Sequence, residues 1–276
     1  FAAGVWLPVL PPGLSFLASV SIATAFTASL ERRQRTDLMM LFSRHVSTEV
    51  ANAIWQERHQ FIEGGRPKPQ KLTATVLFTD LVGFTTLSEK LEPKEVMDWL
   101  NQYMEVMAQT VTRYGGVINK YIGDAVMAVF GIPVARISDL EISRDAINAV
   151  ACSLEMDKRL VELNRLWEKF GLAIGMRIGI STGQLVAGSL GSSERLEYTV
   201  LGDTVNTAAR LESHGKEGFV PDHFANPCRI LAAETTWRLV SNHFDAEPVG
   251  AVRLKGKETP VSVYRILKQK KSGEKT

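Results

Sequence analysis

Apolar and polar positions fall into three regimes along the chain. From Phe1 to Leu30 there is no Asp, Glu, Lys, Arg or His. The part after Pro12, GLSFLASVSIATAFTASL, approaches the roughly 20 residues a helix needs to cross a bilayer. Arg32, Arg33 and Arg35 follow directly, and the positive-inside rule assigns them to the cytoplasmic side. No basic region precedes the apolar run, so it does not read as a signal peptide. The expectation is a transmembrane segment over 1–30, with a buried amino-terminal helix as the alternative that its Ser and Thr residues keep open. The chain opens without Met and reads as the tail of a longer protein of the cell membrane, its remaining part cytoplasmic. From 31 to 62 apolar residues recur at helical spacing, with Leu38, Leu41 and Phe42 on one face and Val46, Val50 and Ile54 further along. Residues 31–69 therefore read as a helical linker that closes in the Gly, Pro and charge cluster EGGRPKPQK.

From Leu72 the period changes repeatedly. LTATVLF reads as a strand, and EPKEVMDWLNQYMEVMAQTVTRYG as an amphipathic helix that starts near Pro93 and stops at Gly115 and Gly116. Val117–Tyr121 and Val126–Phe130 form a hairpin around Gly123 and Asp124. A long helix is expected over about Asp139–Lys169, then two strands, AIGMRIGIST and GQLVAGSLG, and a short third, EYTVLG. DTVNTAARLES reads as a helix capped by Asp203. Alternating strand and helix follow, closing on a strand, before a disordered tail at 269–276. This order gives an α+β fold class with a ferredoxin-like βαββαβ core: a mainly antiparallel sheet with helices packed against one face, preceded by the apolar helix.

Composition narrows the chemistry. The 32 basic and 30 acidic residues nearly cancel, so bulk charge gives no reason to expect nucleic acid as a partner. Cys152 and Cys228 stand alone without a CxxC spacing, and the five His residues form no ligand pattern, which argues against structural zinc. Neither GxGxxG nor GxxxxGK[ST] is present, so phosphate binding has to rely on metals, backbone and basic side chains.

The candidate chemistry begins in LFTDLVGFT. Asp80 ends the first long strand and Asp124 sits at the hairpin turn, positions that this topology can place on neighbouring strands at one sheet edge. Two such carboxylates repel unless cations lie between them. Hard divalent ions such as Mg²⁺ favour these oxygen ligands and complete their shell with substrate phosphates, and two ions roughly 3.5–4 Å apart can activate a hydroxyl while neutralising a leaving oxygen. Gly83, Phe84 and Thr85 follow in a turn that exposes backbone N–H groups toward an anion.

Three blocks in this order, FTDLVGFTTLSE, GGVINKYIGDAVMAVFG and RLEYTVLGDTVNTAARLES, together resemble the class III nucleotidyl cyclases, over about residues 70–268. The resemblance implies that the 3′-hydroxyl of a nucleoside triphosphate attacks its own α-phosphate and expels pyrophosphate. It implies that Asp80, Asp124 and the Leu81 carbonyl hold two divalent metal ions, Mg²⁺ or Mn²⁺, that Asn206 orients the ribose, and that Arg210 stabilises charge at the reacting phosphate. Lys120 and Thr199 match the family's purine-reading pair and imply adenine, hence ATP. Lys255 matches a triphosphate-binding lysine, with Lys257 close enough to be confused with it. Because the family divides these residues between two subunits, the resemblance implies a homodimer with shared sites. The alternatives are a guanylyl cyclase and a regulatory cyclase-like domain that binds nucleotide without turnover. SHGKEGFVPDHFANP, spanning 213–227, departs from many members in length and reads either as a lid or as mobile decoration.

Overall fold

The computed structural model describes residues 10–42, 62–63, 66–168, 173–191, 196–255, 257 and 259–270. The first long strand, β3, spans Gln70–Val82, and its side chains alternate between two cores. Leu77 and Leu81 join one, while Leu72, Ala74 and Val76 join the other. After the short helix α2 (Phe84–Ser88) comes α3 (Pro93–Arg113), which starts with Pro at its first position and with Glu95 accepting the Glu92 N–H at 3.0 Å. The hairpin β4 (Val117–Ile122) and β5 (Ala125–Phe130) leads to α4 (Asp139–Trp167), whose start is fixed by a reciprocal Ser138–Glu141 capping box.

Next come β6 (Gly175–Gly191), β7 (Leu196–Leu201), α5 (Asp203–Ser213), β8 (Cys228–Ala233), α6 (Glu234–Val240), β9 (Phe244–Val252) and β10 (Val261–Gln269). The sheet runs β4-β5-β3-β6-β8-β10-β9, with β7 added along β6. Its named pairs are antiparallel except β6 with β8. The order of β3, β4, β5 and β6 with their intervening helices is the βαββαβ arrangement expected from the sequence.

Three expectations are corrected. Helices cover both faces of the sheet: α3, α4 and α6 pack over the core containing Leu77, Tyr103, Phe130 and Met156, whereas Val205 and Ala208 of α5 pack on the opposite side. The two strands expected between 173 and 191 are one, β6, because Gly183 is not a turn. A Cβ there would meet Thr204 Oγ1 at 2.8 Å, so the glycine admits the first turn of α5. Gly179 does the same further along, where a Cβ would lie 2.1 Å from the Ala208 carbonyl oxygen and 2.4 Å from the Glu212 nitrogen. Finally, Gly202 and not Asp203 occupies the cap of α5.

The amino-terminal apolar stretch is helical, within α1 (Leu10–Phe42), and this helix continues through the arginines that were expected to mark its end. Ser19, Ser21, Thr24 and Thr27 return their hydroxyls to the carbonyls of Ser15, Leu17, Val20 and Ala23, and charged residues begin at Glu31. Among the described residues, no helix is long and apolar enough to cross a membrane, so the span expected over 1–30 is unsupported there; its first nine residues lie outside them. Of the expected helical linker, Ile62–Glu63 (β1) and Arg66–Pro67 (β2) instead pair as short strands, and 43–61 lie outside the described residues. Lys270 still belongs to the fold, its N–H donating to His243 O and its Nζ to Ser241 O, both at 2.9 Å, while 271–276 lie outside the described residues.

Candidate active site

Asp80 lies near the carboxyl end of β3, directly opposite Arg177 of β6. The Arg177 guanidinium holds Asp80 on one side and donates to Glu212 of α5 on the other at 2.9 Å. Lys216 brings a second cation to 3.6 Å from Asp80 Oδ2. The carboxylate of Asp124 arrives from the β4–β5 turn and accepts the N–H of Leu81 at 3.3 Å. Asp80, Leu81 and Asp124 are thus brought together. Burial, together with the negative charge of Asp80, raises the Asp124 carboxyl above the usual carboxylate range, against the lowering effect of its own and Leu81's N–H groups.

Among the described residues no three His, Cys, Asp or Glu side chains form a metal cage. The donor set nevertheless suits hard divalent cations: two mutually repelling carboxylates and a neighbouring backbone carbonyl, with charge now balanced by Arg177 and Lys216. Gly83 begins the adjoining turn at φ 84°, a left-handed conformation that glycine adopts without a Cβ penalty. Phe84 stacks on Trp99 with ring centroids 5.9 Å apart, anchoring this turn to the core, and Thr85 is exposed beside it.

A second group forms between β4 and β7. Thr199 is 2% exposed and donates to Asn119 Oδ1 at 3.1 Å, while Asn119 donates to the Tyr198 carbonyl at 3.2 Å. The register of β4 shifts between Ile118 and Lys120, and such a bulge re-aims the side chains beside it. Lys120 pairs with Glu197 at 3.1 Å. The two expected purine-reading residues thus lie on β4 and β7 of one copy of the chain, Lys120 beside Glu197 and Thr199 beside Asn119.

The third group sits on α5. Asn206 is exposed and Arg210 half-buried, four residues apart and so on one face. Glu212, which reaches back toward Asp80 through Arg177, lies about 120° around the helix from Asn206 and about 160° from Arg210 at 3.6 residues per turn. At the helix start, Lys257 Nζ lies 2.5 Å from the Asp203 carboxylate. Lys255 is exposed and has no ion pair among the described residues. Lys257 is thus committed to α5, and among the described residues Lys255 is the cation of the two without an ion pair.

The sequence model described as Adenylate and Guanylate cyclase catalytic domain matches residues 67–268. The chain belongs to this family. Adenylate cyclase 1 of Rhizobium meliloti is 31% identical over 250 residues, covering 90% of this chain and 35% of that protein. The adenylate cyclase of Anabaena cylindrica is 32% identical over 229 residues, covering 82% of this chain and 42% of that protein. The chain thus spans well under half the length of these relatives. Among solved structures, the adenylyl cyclase CyaB of P. aeruginosa matches at TM-score 0.65 and 33% identity, covering 74% of this chain and 97% of that one. The guanylyl cyclase Cya2 matches at 0.64 and 32%, covering 74% and 96%.

Within this cyclase domain, sequence reasoning overlooked Arg177, Glu212, Lys216 and Asn119. Arg177 carried a usable signal: it is the one charge in the apolar run IGMRIGI, and a buried charge requires a partner.

Proposed function

We propose that the chain is an adenylyl cyclase that converts ATP to 3′,5′-cyclic AMP and pyrophosphate at sites shared by two copies. The observation that carries the chemistry is the convergence of Asp80, Leu81 and Asp124 at one sheet end, where the Asp124 carboxyl is raised by burial and by its neighbour. Asp80, Asp124 and the Leu81 carbonyl would hold two divalent cations, Mg²⁺ or Mn²⁺, which when bound supply activation of the ribose 3′-hydroxyl and neutralise the leaving pyrophosphate. Asn206 orients the ribose. The forked guanidinium of Arg210 takes the charge that grows at the α-phosphate as the O3′–P bond forms and the bond to the β-phosphate oxygen breaks. Lys255, and the turn at Gly83, Phe84 and Thr85, bind the triphosphate.

The shared site is supported by the geometry of α5. Its Glu212 side belongs to the Asp80 cluster of its own copy, and its Asn206–Arg210 side is turned away from that cluster. A twofold pair of chains would give each Asp80 cluster the Asn206 and Arg210 of the other copy. Asp80→Ala and Asn206→Ala chains should each be inactive alone and regain activity when mixed, since one intact site then forms. Folded mixed dimers that stay inactive would sink the shared-site reading.

For the base, Lys120 donates to adenine N1 and Thr199 accepts from the 6-amino group. A guanine reading is favoured by one feature, the Glu197 carboxylate beside Lys120, which could accept from guanine N–H donors. GTP is therefore the necessary comparison substrate.

A further inference from the structure

We propose that Lys216 is a positioning residue that competes with divalent cations for the Asp80 carboxylate, so that segment 213–227 sets the metal affinity of the site. The inference rests on Asp80 being a metal ligand.

The segment is built to present this lysine. The chain leaves α5 at Ser213, and Gly215, at φ 59°, turns it back toward the sheet, so that Lys216 Nζ lies 3.6 Å from Asp80 and 4.0 Å from Glu212. Arg229 of β8 clamps the turn. It donates to the carbonyls of Gly215 and Glu212, both at 2.9 Å, and its guanidinium lies 5.4 Å from the centre of the Phe219 ring. Further along, the buried Asn164 side chain donates to the His223 carbonyl at 2.8 Å, and the Pro227 carbonyl accepts the Met176 N–H at 2.9 Å. A segment pinned at both ends is neither loose decoration nor free to leave the site.

The two cations on Asp80 differ in kind. Arg177 has a side chain 8% exposed and tied to Glu212, so it is part of the fold. Lys216 is 46% exposed, and its ammonium stands outside hydrogen-bond distance of Asp80. It neutralises the carboxylate through space and can swing into solvent at little cost. A divalent cation binding Asp80 meets the repulsion of this ammonium and loses the stabilisation it gave, so Lys216 weakens metal binding.

The test is a Mn²⁺ titration of the metal-free full chain without nucleotide, with free Mn²⁺ read by electron paramagnetic resonance. Lys216→Gln should tighten the apparent Kd about two- to fivefold, the range for an exposed ion pair. Lys216→Arg should stay near wild type, and the difference should shrink in high KCl. Thermal melting of Lys216→Gln within about 2 °C of wild type establishes that the fold is unchanged. Asp80→Asn should weaken Mn²⁺ binding and make Lys216→Gln silent. Equal or weaker binding by Lys216→Gln, with Asp80→Asn still impaired, overturns the inference alone. Equal binding by wild type and Asp80→Asn overturns the metal reading of Asp80 and the inference with it.

Discussion

Replacing Arg177 by Met should damage the fold before any substrate is added. The Arg177 side chain is 8% exposed and links two carboxylates, Asp80 and Glu212, the latter also 8% exposed. Without the guanidinium, Glu212 keeps, among the described residues, the Ser213 hydroxyl at 2.8 Å and the Lys216 ammonium at 4.0 Å. Deleting one partner of a buried ion pair costs about 3–5 kcal/mol because the other charge is left behind. This is a large part of the roughly 5–15 kcal/mol that holds a domain together. At about 2–4 °C per kcal/mol for a domain of this size, Tm should fall by about 6–20 °C. The assay is calorimetric melting of the metal-free chain, beside Arg177→Met/Glu212→Leu, which removes both buried partners and should recover most of the loss. A Tm within about 2 °C of wild type for the single variant, or no recovery in the double, refutes the reasoning.

Other expectations follow from single contacts. Gly179→Ala forces a Cβ against the backbone of α5, so it should cost about 1–3 kcal/mol or more and cut turnover by displacing Asn206 and Arg210, measured by melting and steady-state kinetics. Burial raises the Asp157 carboxyl, against the lowering effect of the Cys228 N–H it accepts. Its contribution to stability is fully present below the unfolded Asp value and is lost as pH rises through the raised native value; Asp157→Asn should therefore gain on wild type across that window, read from Tm against pH, and a constant difference would count against this. Lys120→Glu places like charges beside Glu197 and removes the proposed donor to adenine; ATP turnover should fall by at least about 100-fold, with Tm lowered by only about 2–4 °C because the Glu197 side chain is 50% exposed and water screens the repulsion.

Much of the fold was legible because periodicity and punctuation agreed. Pro93 and Gly115 bracket α3, and the β4–β5 turn falls at Gly123 and Asp124. Glycine misled where it served packing: Gly183 looks like a turn residue but lies beneath Thr204. Nothing in the local pattern of α5 says which face of the sheet it covers, since an amphipathic helix suits either. In the site, motif order identified Asp80 and Asp124, but their charge partners come from 53 or more residues away in sequence, with Arg177 97 positions from Asp80. Such pairings are set by sheet register, which binds β3 to β6 over thirteen residue pairs, and register is decided by the whole core.

The most direct test of the account is product identification. Purified chain is given equal ATP and GTP with Mn²⁺ or Mg²⁺, and the nucleotides are separated by chromatography. The account predicts cyclic AMP and pyrophosphate in equal amounts, no product in EDTA, and none from Asp80→Asn or Asp124→Asn. Cyclic GMP as the main product, hydrolysis to a diphosphate, or a folded dimer that binds ATP and leaves it unchanged would contradict it.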